Sequence, residues 1–392
     1  MGERDRRPGG LPREHRLPEG NRLPQEHRLP QELRSPDELP PLEKLLLAEV
    51  QEDFPLAPHP FRLIAGRCGC TEDEAIRALR RLSARGLVRE ITALLDGRRL
   101  GYRSTLAALR VPGSKVDRVA ERINRHPGVS HNYLRDHRYN LWFTLSVPGE
   151  ADLPGTVESL AGSGAEEALL LPALRAFKLR VRLPVRPGGR KNRPDETVPG
   201  TPADGRGPDP PRAGEAATGP PYPGARTPPF LLSAFDRALL ARLESSLPVD
   251  PRPWDTVASG LGVSLQELLE AVAVLKRRGV IRRIAAVPRH RRLGYTANGM
   301  ACFLVPEAEI EAAGLSAASA PEVSHCYQRE THPHWPYPLY AMVHARTREQ
   351  CDALVARISR HIGCRDCQVL YSVGEYKKQR VTYFSDITGT GA

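Results

Sequence analysis

The chain has 392 residues, of which 40% are hydrophobic, and a formal net charge of +11. This length allows two to four domains, and the excess of basic residues favours an anionic partner, either a nucleic acid or a polycarboxylate ligand. The sequence has no run of about 18 apolar residues and no apolar signal segment at the N-terminus, so we expect a soluble cytoplasmic protein. Its seven cysteines are irregularly spaced, which favours reduced structural thiols over a zinc site.

Two segments have compositions that do not favour a packed core. Residues 11–34 repeat a Leu-Pro hexapeptide four times in a polar background, so we expect residues 1–40 to form a disordered tail. Residues 184–229 contain 13 prolines and 8 glycines, which indicates a linker. The remainder forms two modules, each long enough to bury its own core.

Each module begins with the pattern of a winged helix-turn-helix domain. In the first module the predicted elements are helices over Pro41–Val50 and Pro60–Arg67, a third helix ended by Arg85-Gly86, and a wing over Leu87–Leu94. Thr71 and Glu74 form a capping box at the start of the third helix. The second module repeats this order with helices over Ala234–Leu243, Asp255–Leu261 and Ser264–Lys276 and a wing over Val280–Val287. We therefore predict winged helix-turn-helix domains over residues 41–100 and 230–293.

The apolar period then changes to that of a strand-helix-strand-strand-helix-strand unit. In the first module the predicted elements are, in order, Ser104–Val111, Ser114–Arg125, Val129–Arg135, Tyr139–Val147, Asp152–Gly162 and Ala168–Leu183. In the second they are Thr296–Val305, Glu307–Ala318, Val323–Arg329, Leu339–Ala345, Arg348–His361 and Gln368–Phe384. This order predicts ferredoxin-like βαββαβ domains over residues 101–183 and 294–386, followed by a tail over 387–392. The expected fold class is α+β, with two tandem modules that form a pseudo-dimer.

One seven-residue cassette occurs in both modules. Residues 129–135 read Val-Ser-His-Asn-Tyr-Leu-Arg, and residues 323–329 read Val-Ser-His-Cys-Tyr-Gln-Arg. Because residues two apart on a strand share a face, the histidine, tyrosine and arginine of each copy point the same way. These residues are His131, Tyr133 and Arg135 in the first copy, and His325, Tyr327 and Arg329 in the second. We expect them to line a cleft between two sheets; the alternative is that each row makes interface hydrogen bonds only.

The predicted domain order resembles that of the leucine-responsive (Lrp/AsnC) transcription regulators. In a helix-turn-helix domain the start of the third helix approaches the DNA phosphates. Here that end carries Glu72, Asp73 and Glu74 in the first module, and Glu267 and Glu270 in the second. Since carboxylates repel phosphates, we expect no specific nucleic-acid binding, and a DNA-binding regulator remains an alternative.

Longer motifs resemble the two subunits of siroheme decarboxylase. In the first module they are Leu100-Gly-Tyr-Arg-Ser-Thr, Pro127-Gly-Val-Ser-His-Asn-Tyr-Leu-Arg and Leu171-Pro-Ala-Leu-Arg-Ala-Phe-Lys; in the second they are Pro321-Glu-Val-Ser-His-Cys-Tyr-Gln-Arg, His334-Trp-Pro-Tyr-Pro-Leu-Tyr and Leu370-Tyr-Ser-Val-Gly-Glu-Tyr-Lys-Lys. The resemblance implies that both subunits of a heterodimeric carboxy-lyase are fused in one chain. It implies loss of CO2 from the C12 and C18 acetates of siroheme, giving 12,18-didecarboxysiroheme on the way to heme or heme d1.

The same resemblance implies siroheme as the substrate, no cofactor beyond this iron tetrapyrrole, pairing of the two modules within the chain, and no membrane partner. Further association into a homo-oligomer and a non-catalytic tetrapyrrole sensor both stay open.

The reaction needs an acid, cations for the retained carboxylates and an apolar wall. The acid candidates are His131 and His325, supported by Tyr133 and Tyr327; either histidine is also a possible axial ligand of the siroheme iron. The predicted substrate-binding residues are Arg135, Arg329, Lys178, Lys377, Lys378, Trp142, Trp335, Tyr337, His332 and His334. No metal site of the protein itself is expected. An insertion over residues 330–337 favours a pocket built mainly on the second module, although His332 and His334 also fit a surface loop.

Deleting residues 1–38 should leave folding and activity intact, because the hexapeptide repeats have no apolar face to contribute. The melting temperatures of the truncated and full-length proteins test this, and a large drop for the truncated protein would contradict it.

Overall fold

The computed structural model describes residues 39–179, 230–364 and 366–384. The predicted N-terminal tail, linker and C-terminal tail lie outside the described residues, apart from Leu39 and Pro40.

The described elements follow the predicted order in both modules. In the first module they are α1 (Pro41–Val50), α2 (Pro60–Cys68), α3 (Glu72–Ala84), β1 (Val88–Leu95), β2 (Tyr102–Arg110), α4 (Val116–Arg125), β3 (Val129–Arg135), β4 (Leu141–Pro148), α5 (Leu153–Ala161) and β5 (Glu167–Leu179). In the second they are α6 (Ala234–Glu244), α7 (Pro253–Leu261), α8 (Leu265–Arg277), β6 (Ile281–Pro288), β7 (Ala297–Phe303), α9 (Ile310–Ser319), β8 (Val323–Arg329), β9 (Leu339–Ala345), α10 (Arg348–His361) and β10 (Cys367–Lys378). The predicted fold class is confirmed.

The two helix-turn-helix domains share one hydrophobic core. The ring of Phe54, which follows α1, lies 6.0 Å from the ring of Trp254 in the second module. The indole N–H of Trp254 donates to the carbonyl of Pro55 over 3.2 Å. In the reverse direction, Arg80 on α3 donates to the carbonyl of Val249 over 2.9 Å. Each domain therefore covers part of the other.

The wing strands also join the two modules. β1 pairs antiparallel with β6, with Ile91 opposite Ala286, in a separate two-stranded sheet. Each wing therefore pairs with the wing of the other module rather than with a second strand of its own domain.

The remaining eight strands form one closed barrel in the order β10-β3-β4-β2-β5-β8-β9-β7. The expected cleft between two separate sheets is therefore wrong, because two long strands each cross from one sheet to the other. The first half of β5 pairs with β2 and its second half pairs with β8. β10 likewise pairs first with β7 and then with β3. Closure satisfies the backbone groups that would otherwise remain at four sheet edges.

The crossing strands also carry side chains into the other module. Phe177 on β5 is buried in the second module's core, against Gly314 on α9. The chain after β10 runs to the helical layer, where the backbone N–H groups of Tyr383 and Phe384 donate to the Glu244 carboxylate over 2.9 and 3.2 Å. This contact explains why the last strand ends at Lys378 and not at Phe384 as predicted.

Within the three described ranges, no single helix is long and apolar enough to cross a bilayer; α7 and α8 meet that criterion only together, and they are bent by 95°.

We predict that Gly314→Ala lowers the free energy of unfolding by about 1–3 kcal/mol, the usual cost of overpacking a core. Its methyl group would collide with the ring of Phe177. Gly66→Ala is the matched control, because no atom lies within 4 Å of the added carbon and the helix α2 should gain about 0.5–1 kcal/mol. Urea unfolding measures both, and equal stability of Gly314→Ala and wild type would contradict the described packing.

Candidate functional site

The two cassettes face the interior of the barrel at one end. His131 lies opposite Thr144, and His325 lies opposite Met342. Directly opposed residues of an antiparallel pair share a face. All four are only partly buried although they point inward, whereas the inward-facing side chains at the other end are buried. The barrel interior is therefore open at the histidine end.

Aromatic side chains close the interior below the histidines. Trp142 and Trp335 are 1% and 2% exposed, and their rings lie 5.5 Å apart. The indole N–H of Trp335 donates to the hydroxyl of Tyr340 over 2.7 Å, and the ring of Tyr337 lies 4.9 Å from Trp335. Because the insertion follows Arg329, it packs at the arginine end of β8. Trp142, Trp335 and Tyr337 thus form a floor, and the insertion lies at the end of the barrel away from His325.

The two arginines of the cassettes lie one inward-facing position beyond the tyrosines, at the floor end of their strands. Arg135, which is 4% exposed, donates to the carbonyl of Leu370 over 2.7 Å. Arg329 donates to the carbonyl of Leu171 over 2.9 Å, and its guanidinium lies 4.8 Å from the centre of the Tyr327 ring. Both guanidiniums are therefore held by the crossing strands. Their predicted contact with substrate carboxylates stays a prediction.

The helical layer lies close to the histidine end. The backbone N–H of Gln379, directly after β10, donates to the carbonyl of Ser130 over 2.8 Å. The next residue, Arg380, donates to Thr92 on β1 and to the carbonyl of Glu244. The chain thus passes from the level of His131 to the paired wing strands within two residues. Those strands carry Arg89, Arg282 and Arg283.

This environment lowers the pKa of both cassette histidines to about 4. For His131 the main cause is burial, followed by the charges of Lys378, His325 and Arg89. For His325 it is again burial, followed by the charges of Arg283, Arg282, Arg329 and Lys178. Both imidazoles are therefore neutral at pH 7, and a bound polycarboxylate would offset the surrounding positive charge.

A hydrogen-bonded chain that sequence reasoning missed leads away from His325. The hydroxyl of Ser324 lies 2.9 Å from Nδ1 of His325 and 2.6 Å from Nε2 of His344. Nδ1 of His344 contacts Oδ1 of Asn298 on the neighbouring strand β7. The signal was present in the repeated Val-Ser-His motif, since a serine next to a histidine can bond its ring, but His344 comes from another strand.

Lys178 and Lys377 lie on the opposite face from the histidines. Lys178 donates to the carbonyl of Ala320, at the C-terminal end of α9, over 2.8 Å. Lys377 donates to the carbonyls of Asn124 and His126, at the end of α4, over 2.7 and 3.0 Å. These contacts favour helix capping over substrate binding. The cause is a register shift beside each lysine, which rotates it to the helix side.

His332 and His334 lie at the floor end, away from the cassettes. His334 contacts the carboxylate of Glu167 from the first module, which also accepts from the hydroxyl of Tyr139 over 2.7 Å. One donor atom each from Glu167, His332 and His334 lie within 4.8 Å of one another, which is close enough for a metal ion. Arg138 donates to the carbonyl of His334 over 3.0 Å, so nearby positive charge disfavours a cation. These contacts fit a structural role for the two histidines, in which they link the two modules.

Comparison with known families matches both parts of each module. A model of the AsnC-like ligand binding domain matches residues 99–178 and 292–377. A model of the siroheme decarboxylase NirDL-like HTH domain matches residues 43–89 and 236–282.

Individual relatives cover most of the chain. The chain is 37% identical over 343 residues to a siroheme decarboxylase of Hydrogenobacter thermophilus, which covers 87% of this chain and 94% of that protein. It is 42% identical over 146 residues to the siroheme decarboxylase beta subunit of Methanosarcina barkeri, covering 37% of this chain and 96% of the subunit. The crystal structure of the siroheme decarboxylase NirDL in complex with an iron-uroporphyrin III analogue matches with a TM-score of 0.63 and 32% identity, over 88% of this chain and 95% of that chain. The chain therefore belongs to the siroheme decarboxylase family, in a form that joins two related modules on one polypeptide.

Proposed function

We propose that this protein is a carboxy-lyase that removes CO2 from the C12 and C18 acetates of siroheme. The observation that carries the proposal is the open barrel end, where two inward-facing histidines are surrounded by cations contributed by both modules. A flat polyanion with carboxylates around its rim complements such a site. The iron-uroporphyrin bound to the related decarboxylase supports this substrate class.

The chemistry needs no oxidant or reductant. The bond between the acetate methylene and its carboxylate breaks, CO2 leaves, and the electron pair remains on the methylene carbon beside the pyrrole ring. The conjugated macrocycle delocalises that pair, and a proton converts the carbon into a methyl group. The protein must therefore hold the retained carboxylates, limit the stabilisation of the reacting one and deliver a proton.

The cassette residues match these tasks. His131 and His325 lie at the open end, and a bound polyanion raises their pKa by offsetting the nearby positive charge. Tyr133 and Tyr327 lie one inward-facing position deeper, opposite Trp142 and Tyr340. If one histidine instead binds the siroheme iron, it has one fewer nitrogen available for proton transfer, so the two histidines need not share a role.

Purified protein incubated anaerobically with siroheme should yield a product lighter by two CO2, which mass spectrometry of the extracted tetrapyrrole measures. Boiled protein is the control. Binding without any mass change would contradict the proposal and support a tetrapyrrole sensor.

The rate should fall as the pH rises, because the acid form of the histidine is the active one. The pKa seen in kcat should exceed the pKa of about 4 that burial and the nearby arginines give His325, since substrate carboxylates offset Arg282, Arg283 and Arg329. His325→Ala should lower kcat by about 100- to 10,000-fold, the usual contribution of a general acid. Steady-state rates between pH 5 and 9 measure this, and a wild-type kcat that increases with pH would rule out a protonated histidine as the acid.

The contacts of the third helices do not favour the alternative of a DNA-binding regulator. Arg80 on α3 donates to the carbonyl of Val249, and Lys276 on α8 forms an ion pair with Asp53. These cations are thus engaged with the other module. The carboxylates of Glu74 and Glu267 cap the N-terminal ends of α3 and α8, where DNA phosphates would otherwise bind. A protected DNA footprint at physiological salt would revive this alternative.

A further inference from the structure

The two halves of the barrel interior differ at positions that the duplication makes equivalent. His131 lies opposite Lys378 on β10. Its counterpart His325 lies opposite Leu179 on β5. Opposed residues on antiparallel strands share a face, so these two partners point inward beside their histidines. A cation thus accompanies the first histidine, and an aliphatic side chain accompanies the second.

The same contrast continues one position deeper. Tyr133 lies opposite Glu375, whereas Tyr327 lies opposite Ala176. Charged groups of both signs therefore line the first half, while small or aliphatic groups stand at the matching points of the second. Because Glu375 repels a carboxylate, the position beside Lys378 is the favourable one for an anionic group in the first half.

The hydrogen-bonded chain behind His325 determines its tautomer. The amide nitrogen of Asn298 donates to the carbonyl of Tyr295 over 3.2 Å, so its Oδ1 accepts from Nδ1–H of His344. Nε2 of neutral His344 then accepts from the hydroxyl of Ser324, which accepts in turn from Nδ1–H of His325. Each group thus has one compatible role. Nε2 of His325 is left to face the barrel interior.

The hydrogen-bonded chain behind the histidine is shorter in the first half of the barrel. Ser130 lies 2.9 Å from Nδ1 of His131, as in the second half. The pairing of β4 with β2 and β3 puts Ser146 at the position of His344, and Ser104 at the position of Asn298. A serine hydroxyl rotates and donates or accepts, so it does not impose a single tautomer on the ring it contacts. No imidazole stands behind Ser130 in this strand pair.

We propose that the two halves have different tasks: the second half releases CO2 and protonates the product at His325, whereas the first half anchors a retained carboxylate at Lys378. Ser324 and His344 are then positioning residues that fix the His325 ring with its Nε2 towards the barrel interior. This inference rests on the proposed decarboxylation.

The chemical reason is differential stabilisation. A cation beside the reacting carboxylate stabilises its concentrated charge before the bond breaks more than it stabilises the dispersed charge in the transition state. Leu179 provides no such stabilisation of the ground state. Lys378 would slow bond cleavage if the reacting acetate lay beside it, but it suits a carboxylate that stays on the ring.

Paired serine substitutions test the role of the hydrogen-bonded chain. Ser324→Ala should lower kcat by about 10- to 100-fold, as expected for loss of a partner that orients a functional histidine, and Ser324→Thr should retain activity. The alkaline limb of the kcat–pH profile should also move to lower pH, because imidazolium loses the hydroxyl that accepts its Nδ1 proton. Ser130→Ala is the matched control and should change kcat by less than about 3-fold. Equal losses in Ser324→Ala and Ser130→Ala would overturn the division of tasks.

Exchanging the two opposed side chains tests the carboxylate assignment. Lys378→Leu should raise the Kd for iron-uroporphyrin III by about 10-fold, the value of one lost charge contact of about 1.4 kcal/mol, with kcat changed less. Leu179→Lys should lower kcat by at least about 10-fold while the Kd stays equal or falls. Lys378→Arg and Leu179→Met keep charge and apolar character respectively, so each should lose less than the exchanged variant at its own position. The opposite result would overturn the proposal: a lower kcat with an unchanged Kd for Lys378→Leu, together with a wild-type kcat for Leu179→Lys.

Failure of the inference can be separated from failure of the proposed function. If wild-type protein turns over siroheme but the paired variants respond alike, the decarboxylation stands and the unequal halves are refuted. If wild-type protein binds iron-uroporphyrin III without turning over siroheme, the proposed function fails, and the inference that rests on it fails too.

Discussion

The structure depends on the exchange of two strands between the modules. β5 and β10 each pair with one strand of their own module and one of the other, which converts two four-stranded sheets into one barrel. Without this exchange the cassettes would lie on separate sheets, and Lys378 and Leu179 would not reach the histidines of the opposite module. The site is thus a property of the pair, which gives a physical reason for carrying both modules on one chain.

The helix-turn-helix domains contribute to the environment of the barrel histidines. Their shared core, their paired wings and the hydrogen bonds between Glu244 and residues 383–384 hold the helical layer close to the histidine end of the barrel. A fold that in regulators presents a helix to DNA here presents Arg89, Arg282 and Arg283 from the wing strands close enough to act on the pKa of the two histidines. The positive charge of the chain is consistent with a polycarboxylate as well as with a nucleic acid, and the position of these arginines near the barrel histidines favours the former.

Much of this arrangement could be predicted from the sequence, because the hydrophobic periodicity of each element and the repeat of one pattern in both modules can be read directly from the residues. The alternation in Val129–Arg135 correctly placed His131, Tyr133 and Arg135 on one face. The sequence could not show barrel closure, since the register of β5 against β8 is set by contacts between residues about 150 positions apart. It also could not place Lys178: a register shift puts Phe177 and Lys178 on the same, helix-covered face, whereas strict alternation would separate them. His344 was missed for a related reason, because it meets Ser324 only after β8 and β9 pair.

A structure of the protein with siroheme or iron-uroporphyrin III bound would test the central claim most directly. We expect the macrocycle at the open end of the barrel, between His131 and His325, with a carboxylate on Lys378 and an acetate beside Leu179 within reach of Nε2 of His325. A macrocycle bound outside the barrel, or one whose acetates at C12 and C18 both lie beside Lys378, would contradict the division of the interior into an anchoring half and a reacting half.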